Sequence, residues 1–185
     1  MQNQRLVVML EIAIMAALAY VFSYIKLFEM PQGGSVSLVL LPIALIAFRR
    51  GLTAGVLTGL IVGELNHLIG GYVVHPVQLM LDYPLAFAAL GLAGVVRLSS
   101  AAQPKTRIMA LWGGLLLATA ARLVCHFVSG VVWFGEYAPE GTPVAVYSFV
   151  YNITYLLPEM VIAGVVLTFV LASAPQLFKP VRVRG

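Results

Sequence analysis

Charge is what this chain has least of. Seven acidic and eleven basic side chains are spread over 185 residues, of which 61% are hydrophobic. So few ionised groups cannot cover the surface of a water-soluble domain of this length. Cysteine is nearly absent as well. The one present, Cys125, excludes a disulfide within the chain and any cysteine ligand pair for a metal, and in an apolar run it reads as a small packing residue. Three motifs are missing altogether: a GxxxxGK[ST] phosphate loop, HExxH and GxSxG. Neither nucleotide hydrolysis nor a standard membrane hydrolase therefore has an anchor, and no catalytic residue, cofactor or metal is expected. There is also no clear inverted repeat with two broken helices, the arrangement many autonomous carriers use. The chain reads as one that binds and does not catalyse.

What is present is one long apolar run after another. Spans fall at about 5–25, 36–48, 52–69, 76–96, 107–134 and 144–172. Between them lie KLFEMPQGGS, GGYVVH, SSAAQPKT and GEYAPEGTP, rich in turn-forming Gly, Pro and Ser. The expected fold is an all-α integral membrane protein, a compact bundle of six transmembrane helices forming a single domain over residues 1–185. The second run is short for a crossing. It is expected to be tilted, to begin within Gly33-Gly34-Ser35, or to be shielded by its neighbours. The first run lacks a small-residue cleavage site, so a removable signal peptide is not expected.

Orientation follows from the basic residues. Arg5, Arg49, Arg50, Arg97, Lys105, Arg107, Lys179, Arg182 and Arg184 all fall on one side of a six-helix layout, and Lys26 alone on the other. Both termini are thereby predicted to be cytoplasmic, in a multi-pass protein of the cell membrane. The net charge of +4 comes from this asymmetry, spread over separate short loops, and requires no nucleic-acid partner.

Helical rise then sets the depth of each polar residue. Counting ~1.5 Å per residue, Asp82 and Tyr83 on the fourth helix lie roughly 10 Å below the outer surface, and His126 and Asn152 reach the same layer from the fifth and sixth. Glu64 and His67 stand near the outer end of the third helix. Aromatic Trp133, Tyr137, Tyr147 and Tyr151 flank the layer. Ionisable groups at such depth cost several kcal/mol unless paired or solvated, so a cluster of them is read as functional. Arg122 and Glu159 share a deeper level and are expected to pair with each other. That would leave Asp82, and with it Glu64, without a protein cation, which suits a positively charged or amine-bearing solute. Asp82 has a second reading, as a protonated or helix-capping carboxyl, and so has Glu64, as a partner of His67 at i+3.

Spacing sharpens this picture. Arg122, His126, Gly130 and Trp133 follow one stripe of the fifth helix, and Ser148, Asn152, Tyr155 and Glu159 share a face of the sixth. Aromatic walls beside a carboxylate favour a flat, cationic, nitrogen-containing ring. His126 and Asn152 could equally link helices, and the aromatic residues could form a headgroup belt. Gly51, Gly55, Gly59 and Gly63 recur every four residues and are expected to pack within the bundle. Ala13 and Ala17 make a shorter small-residue face where a partner subunit could dock.

The segments EIAIMAALA, LPIALIAFRRGLTAG, HPVQLMLDYPLAFAALG, CHFVSGVVWFGEYAPEGTP and VYSFVYNITY resemble the thiamine-specific substrate-binding components, or S components, of bacterial energy-coupling factor transporters. The resemblance runs over nearly the whole chain. It implies a six-helix membrane protein that captures thiamine from outside and works with a separate module of one membrane coupling subunit and two ATPases. The family's acidic-Tyr pair on helix four matches Asp82 and Tyr83, its His and Gly on helix five match His126 and Gly130, and a following Tyr and Asn match Tyr147 and Asn152. Its loop aromatic falls on Trp133 or Phe134. The family's acid is often Glu, so the shorter Asp82 implies a closer approach, and tryptophans of some members fall on Gly33 and Val62. Ala13 and Ala17 match the helix-one motif that contacts the coupling subunit. Two other readings remain open: a component for another vitamin or a thiamine precursor, and an autonomous proton-coupled carrier.

Overall fold

The structure, a computed structural model, describes residues 2–98 and 103–180. Arg182 and Arg184, counted above with the basic flank, lie outside the described residues. Six helices form the bundle: α1 Gln2–Ser23, α2 Leu40–Arg50, α3 Leu52–Gly70, α4 Pro76–Val95, α5 Pro104–Trp133 and α6 Val144–Ser173. All but α2 are long and apolar enough to cross a membrane.

The second crossing differs from the expected helix over 36–48. Residues Lys26–Glu29 (β1) and Ser35–Ser37 (β2) pair as an antiparallel hairpin, and α2 is only eleven residues long. At 1.5 Å per residue, such a helix covers about half of a ~30 Å hydrocarbon layer. The extended segment before it makes up the distance. Ser37 stays out of the helix because its hydroxyl donates to Glu159 on α6 at 2.9 Å, deep in the protein. Non-helical backbone survives at this depth because Val36 and Ser37 are buried by their neighbours, not exposed to lipid. The short α2 is also the centre of the bundle. Ile43, Ala44 and Ala47 have no exposed surface and pack in one cluster with Leu111, Leu115 and Ala118 of α5 and Ala163 and Leu167 of α6.

The glycine stripe works in two ways. Gly51 adopts φ 92°, a conformation that L side chains rarely tolerate, and so breaks the chain between α2 and α3 instead of joining the stripe. Gly55, Gly59 and Gly63 press against α4. A Cβ on Gly59 would strike the carbonyl of Phe87, and one on Gly63 the carbonyl of Tyr83. This backbone-to-backbone approach is what small-residue faces permit in membranes.

Helix α4 is not uniform. Its turn Leu81–Leu85 is a wide π-turn, and it closes with a tight 3-10 stretch, Gly91–Val95. Pro84 sits inside the wide turn. Lacking an N–H, it cannot bond the carbonyl four residues back, and an i→i+5 turn accommodates the loss. Farther along the bundle, at the end where Arg49 and Arg50 lie, both guanidinium groups hold Glu11 of α1. Arg49 also donates to the carbonyl of Leu177 at 2.9 Å, tying the C-terminal Pro175–Phe178 turn into the same clasp.

Candidate functional site

At the opposite end, the hairpin and helices α3, α4, α5 and α6, with the end of α1, surround a chamber of about 480 Å³. Nine Tyr and Phe rings contribute to its wall. Tyr147, Tyr151 and Tyr155, spaced by four on α6, stand one turn apart with successive ring centroids at 5.8 and 6.1 Å. Phe134 faces them, between Tyr72 at 6.3 Å and Tyr137 at 6.2 Å. The Met30–Gly34 turn of the hairpin forms a cover. The Tyr151 hydroxyl accepts the amide N–H groups of Gln32 and Gly34, at 3.2 and 3.4 Å.

The floor is an ion pair. Arg122 Nη1 donates to Glu159 Oε2 at 2.8 Å, Ser37 satisfies the other carboxylate oxygen, and the guanidinium lies 4.6 Å over the Phe87 ring. The expected pairing of Arg122 with Glu159 is thus present. Arg122 Nε also donates to His126 Nε2 at 3.2 Å. A guanidinium has no acceptor, so this contact makes Nε2 the unprotonated nitrogen and puts the imidazole proton on Nδ1. His126 Nδ1 then donates to Asp82 Oδ1, 3.1 Å away.

This fixes the charge of the chamber. Arg122 cancels Glu159, Lys26 and Glu29 pair at the rim, and His126 is neutral by its tautomer. Asp82 is left with only neutral donors: His126, Gln78 Nε2 at 2.7 Å and Ser129 Oγ at 2.7 Å. One uncompensated negative charge thus remains inside an aromatic box.

Asp82, Tyr83, His126, Gly130, Phe134, Tyr147 and Asn152 all line the chamber. Tyr83 accepts the amide of Tyr72 on its hydroxyl at 2.8 Å. Gly130 is needed by the helix contact, since a Cβ there would collide with the Ser148 hydroxyl. Asn152 spends much of its amide on structure: Nδ2 donates to the carbonyls of Ser148 and His126, at 2.8 and 3.4 Å, and Oδ1 accepts from Tyr155 at 2.6 Å. Its oxygen keeps one acceptor site.

Two expected residues are elsewhere. Trp133 is not in the lining; its ring stacks on His75, centroids 5.2 Å apart, while Phe134 leaves the helix as its C-cap and turns back to the chamber. Glu64 is also outside the lining. Its side chain is 49% exposed and lies 3.6 Å from His67, because its position on α3 faces away from the chamber. Gln78, Ser129 and Tyr72 were not anticipated. Gln78 precedes Asp82 by four residues and Ser129 follows His126 by three, so helical spacing from either would have found them.

The fold and this chamber define a multi-pass membrane protein with a solute-sized cavity near one face. The sequence model of the family described as thiamine transporter protein (Thia_YuaJ) matches residues 9–179. The chain belongs to that family. It is 43% identical to thiamine transporter ThiT of Bacillus subtilis (strain 168), covering 96% of this chain and 97% of that protein. It is 38% identical to thiamine transporter ThiT of Lacticaseibacillus paracasei, over 96% and 92% of the two chains. Among solved structures, ThiT from Listeria monocytogenes superposes with a TM-score of 0.88 at 35% identity, covering 96% of this chain and all of that one.

Proposed function

We propose that this chain captures thiamine from outside the cell in the Asp82 chamber and hands it to a separate energising module of one membrane coupling subunit and two ATPases. The observation that carries the reading is the unbalanced carboxylate in an aromatic box. Thiamine has a permanently cationic thiazolium and a hydrogen-bonding aminopyrimidine, the pairing of properties that such a box favours. Asp82 and Asn152 hold the pyrimidine edge, and Phe134, Tyr147 and the neighbouring tyrosines enclose the rings. Burying a lone carboxylate without a countercharge is unfavourable, so a cationic ligand completes the site electrostatically.

Direction comes from the basic end of the bundle. Placing Arg49, Arg50 and their neighbours in the cytoplasm opens the chamber outward, with the hairpin as its cover. Helix α1 supports the docking part of the reading. Ala13 and Ala17 are exposed on the same side as Met9, Leu10 and Ile14, whereas Ala16 and Ala19 are buried, so a broad apolar face remains for the coupling subunit beside a short small-residue seam.

The test is a thiamine titration of the purified protein by tryptophan fluorescence, with calorimetry beside it because Trp133 lies behind the chamber wall. Saturable binding, weakened at least about tenfold by Asp82→Ala, is expected from the loss of a charged hydrogen bond. Equal or tighter binding of the free pyrimidine or thiazole half would assign the chamber to a precursor. Proton-driven uptake by the isolated protein in vesicles would replace the ATP-driven reading with an autonomous carrier.

A further inference from the structure

Gln78 sits at a junction that the thiamine reading does not use. It is 1% exposed, and a buried amide must place all of its hydrogen bonds within the protein. Its Nε2 donates to Asp82 Oδ2 at 2.7 Å and to the Tyr72 carbonyl at 3.3 Å, and its Oε1 accepts the Val74 amide at 3.1 Å. The amide has one allowed orientation. Two acceptors face its nitrogen and a backbone donor faces its oxygen, so turning it over would break every contact.

The consequence for Asp82 can be counted. A carboxylate offers about four acceptor directions, two on each oxygen. On Oδ2, both are taken by Gln78 and Ser129. Oδ1 has accepted only from His126. One direction therefore remains for a solute, and it is on Oδ1.

We infer that Gln78 is a positioning residue for the solute, saturating Asp82 Oδ2 so that the ligand meets one oxygen with one N–H, and linking that carboxylate to the rim segment Tyr72–Val74. This rests on the proposed thiamine site and deepens it. The arrangement accepts a single donor such as the exocyclic amine of a pyrimidine. It excludes ligands that need both oxygens at once, as a guanidinium does. Because the same amide holds Tyr72 and Val74, the rim over the chamber is kept in register with the carboxylate.

Two variants test it beside the parent protein, each first shown to be monodisperse in detergent. Gln78→Leu keeps bulk and removes three hydrogen bonds, and is expected to weaken thiamine at least about tenfold, with faster hydrogen exchange at the Val74 amide. Gln78→Glu puts a second carboxyl against Asp82. In acid it carries a proton and donates to Oδ2 as the amide did, but once ionised it repels Asp82. Its affinity relative to the parent should therefore change with pH as the new carboxyl ionises, a slope that lost packing alone would not produce. Parent-like affinity in both variants at every pH overturns the inference, and so does a uniform loss in both with no pH slope. A parent protein that does not bind thiamine at all overturns the functional reading and this inference with it, which separates the two failures.

Discussion

The two ends of the bundle are built on opposite principles. At the basic end helices touch backbone to backbone: Gly55 meets Gly91, Gly94 meets Gly51, and Glu11 clasps two arginines so that α1, the α2–α3 turn and the C-terminal turn close together. At the other end the helices part around about 480 Å³ of space and are joined by side chains: Asn152 to the His126 carbonyl, Ser129 to Asp82, Tyr151 to the hairpin. The solid half closes through direct backbone contact and one ion-paired clasp. The hollow half needs polar links because its surfaces do not touch, and those links fix where a solute's charge can be met.

Breaking the boundary between the halves should have the largest effect. Glu159→Ala would leave Arg122 buried and unpaired, expected to cost about 3–5 kcal/mol of stability and to show as a large loss of thermal midpoint in detergent. Next come the glycine contacts. Gly59→Ala pushes a methyl into the Phe87 carbonyl and should cost about 1–3 kcal/mol, whereas Gly113→Ala, with open space at its Cβ, should leave the midpoint unchanged. Equal effects from the two alanines would dismiss the claim that the solid half is sterically tight.

Substitutions in the hollow half should read out in binding instead. Asp82→Asn keeps shape but removes the charge. It is expected to lose at least ~1.5 kcal/mol of thiamine affinity while the ligand-free midpoint holds or rises. A lowered midpoint with intact affinity would make Asp82 a structural group. Tyr151→Phe removes the acceptor for two hairpin amides and should cost about 0.5–1.5 kcal/mol locally, seen as faster exchange at Gln32 and Gly34. Glu64→Gln should leave affinity unaltered, since that side chain points away from the chamber.

Hydropathy and helical rise were enough to anticipate the helix count, the common depth of Asp82, His126 and Asn152, and the Arg122–Glu159 pair, because each follows from the ~30 Å span and the ~1.5 Å step. What they missed departs from regular helix. Val36 and Ser37 run on into the apolar stretch that follows and so counted as the start of a helix, whereas pairing with Lys26–Glu29 and the Glu159 contact, both from distant segments, hold them extended. Trp133 and Phe134 could not be told apart because the helix ends between them. Gly51 continued a four-residue repeat on paper, although its positive φ ends a helix there. Gln78 was not among the anticipated residues, although its spacing of four from Asp82 places the two on one face.

The wide turn at Leu81–Leu85 amounts to one residue more than a regular helix needs. Everything before it in α4, Gln78 included, is phased by that surplus relative to Phe87 and Leu90, which belong to the solid half. Deleting one residue there would restore ordinary winding and swing the outer segment by about 100° about its axis. The contacts of Gly55 with Gly91 and of Gly59 with Phe87 would stay in register while the carboxylate and its amide partner turned off the chamber. A one-residue deletion there is expected to fold and to lose thiamine binding, a control that changes backbone phase while keeping every side chain the site uses.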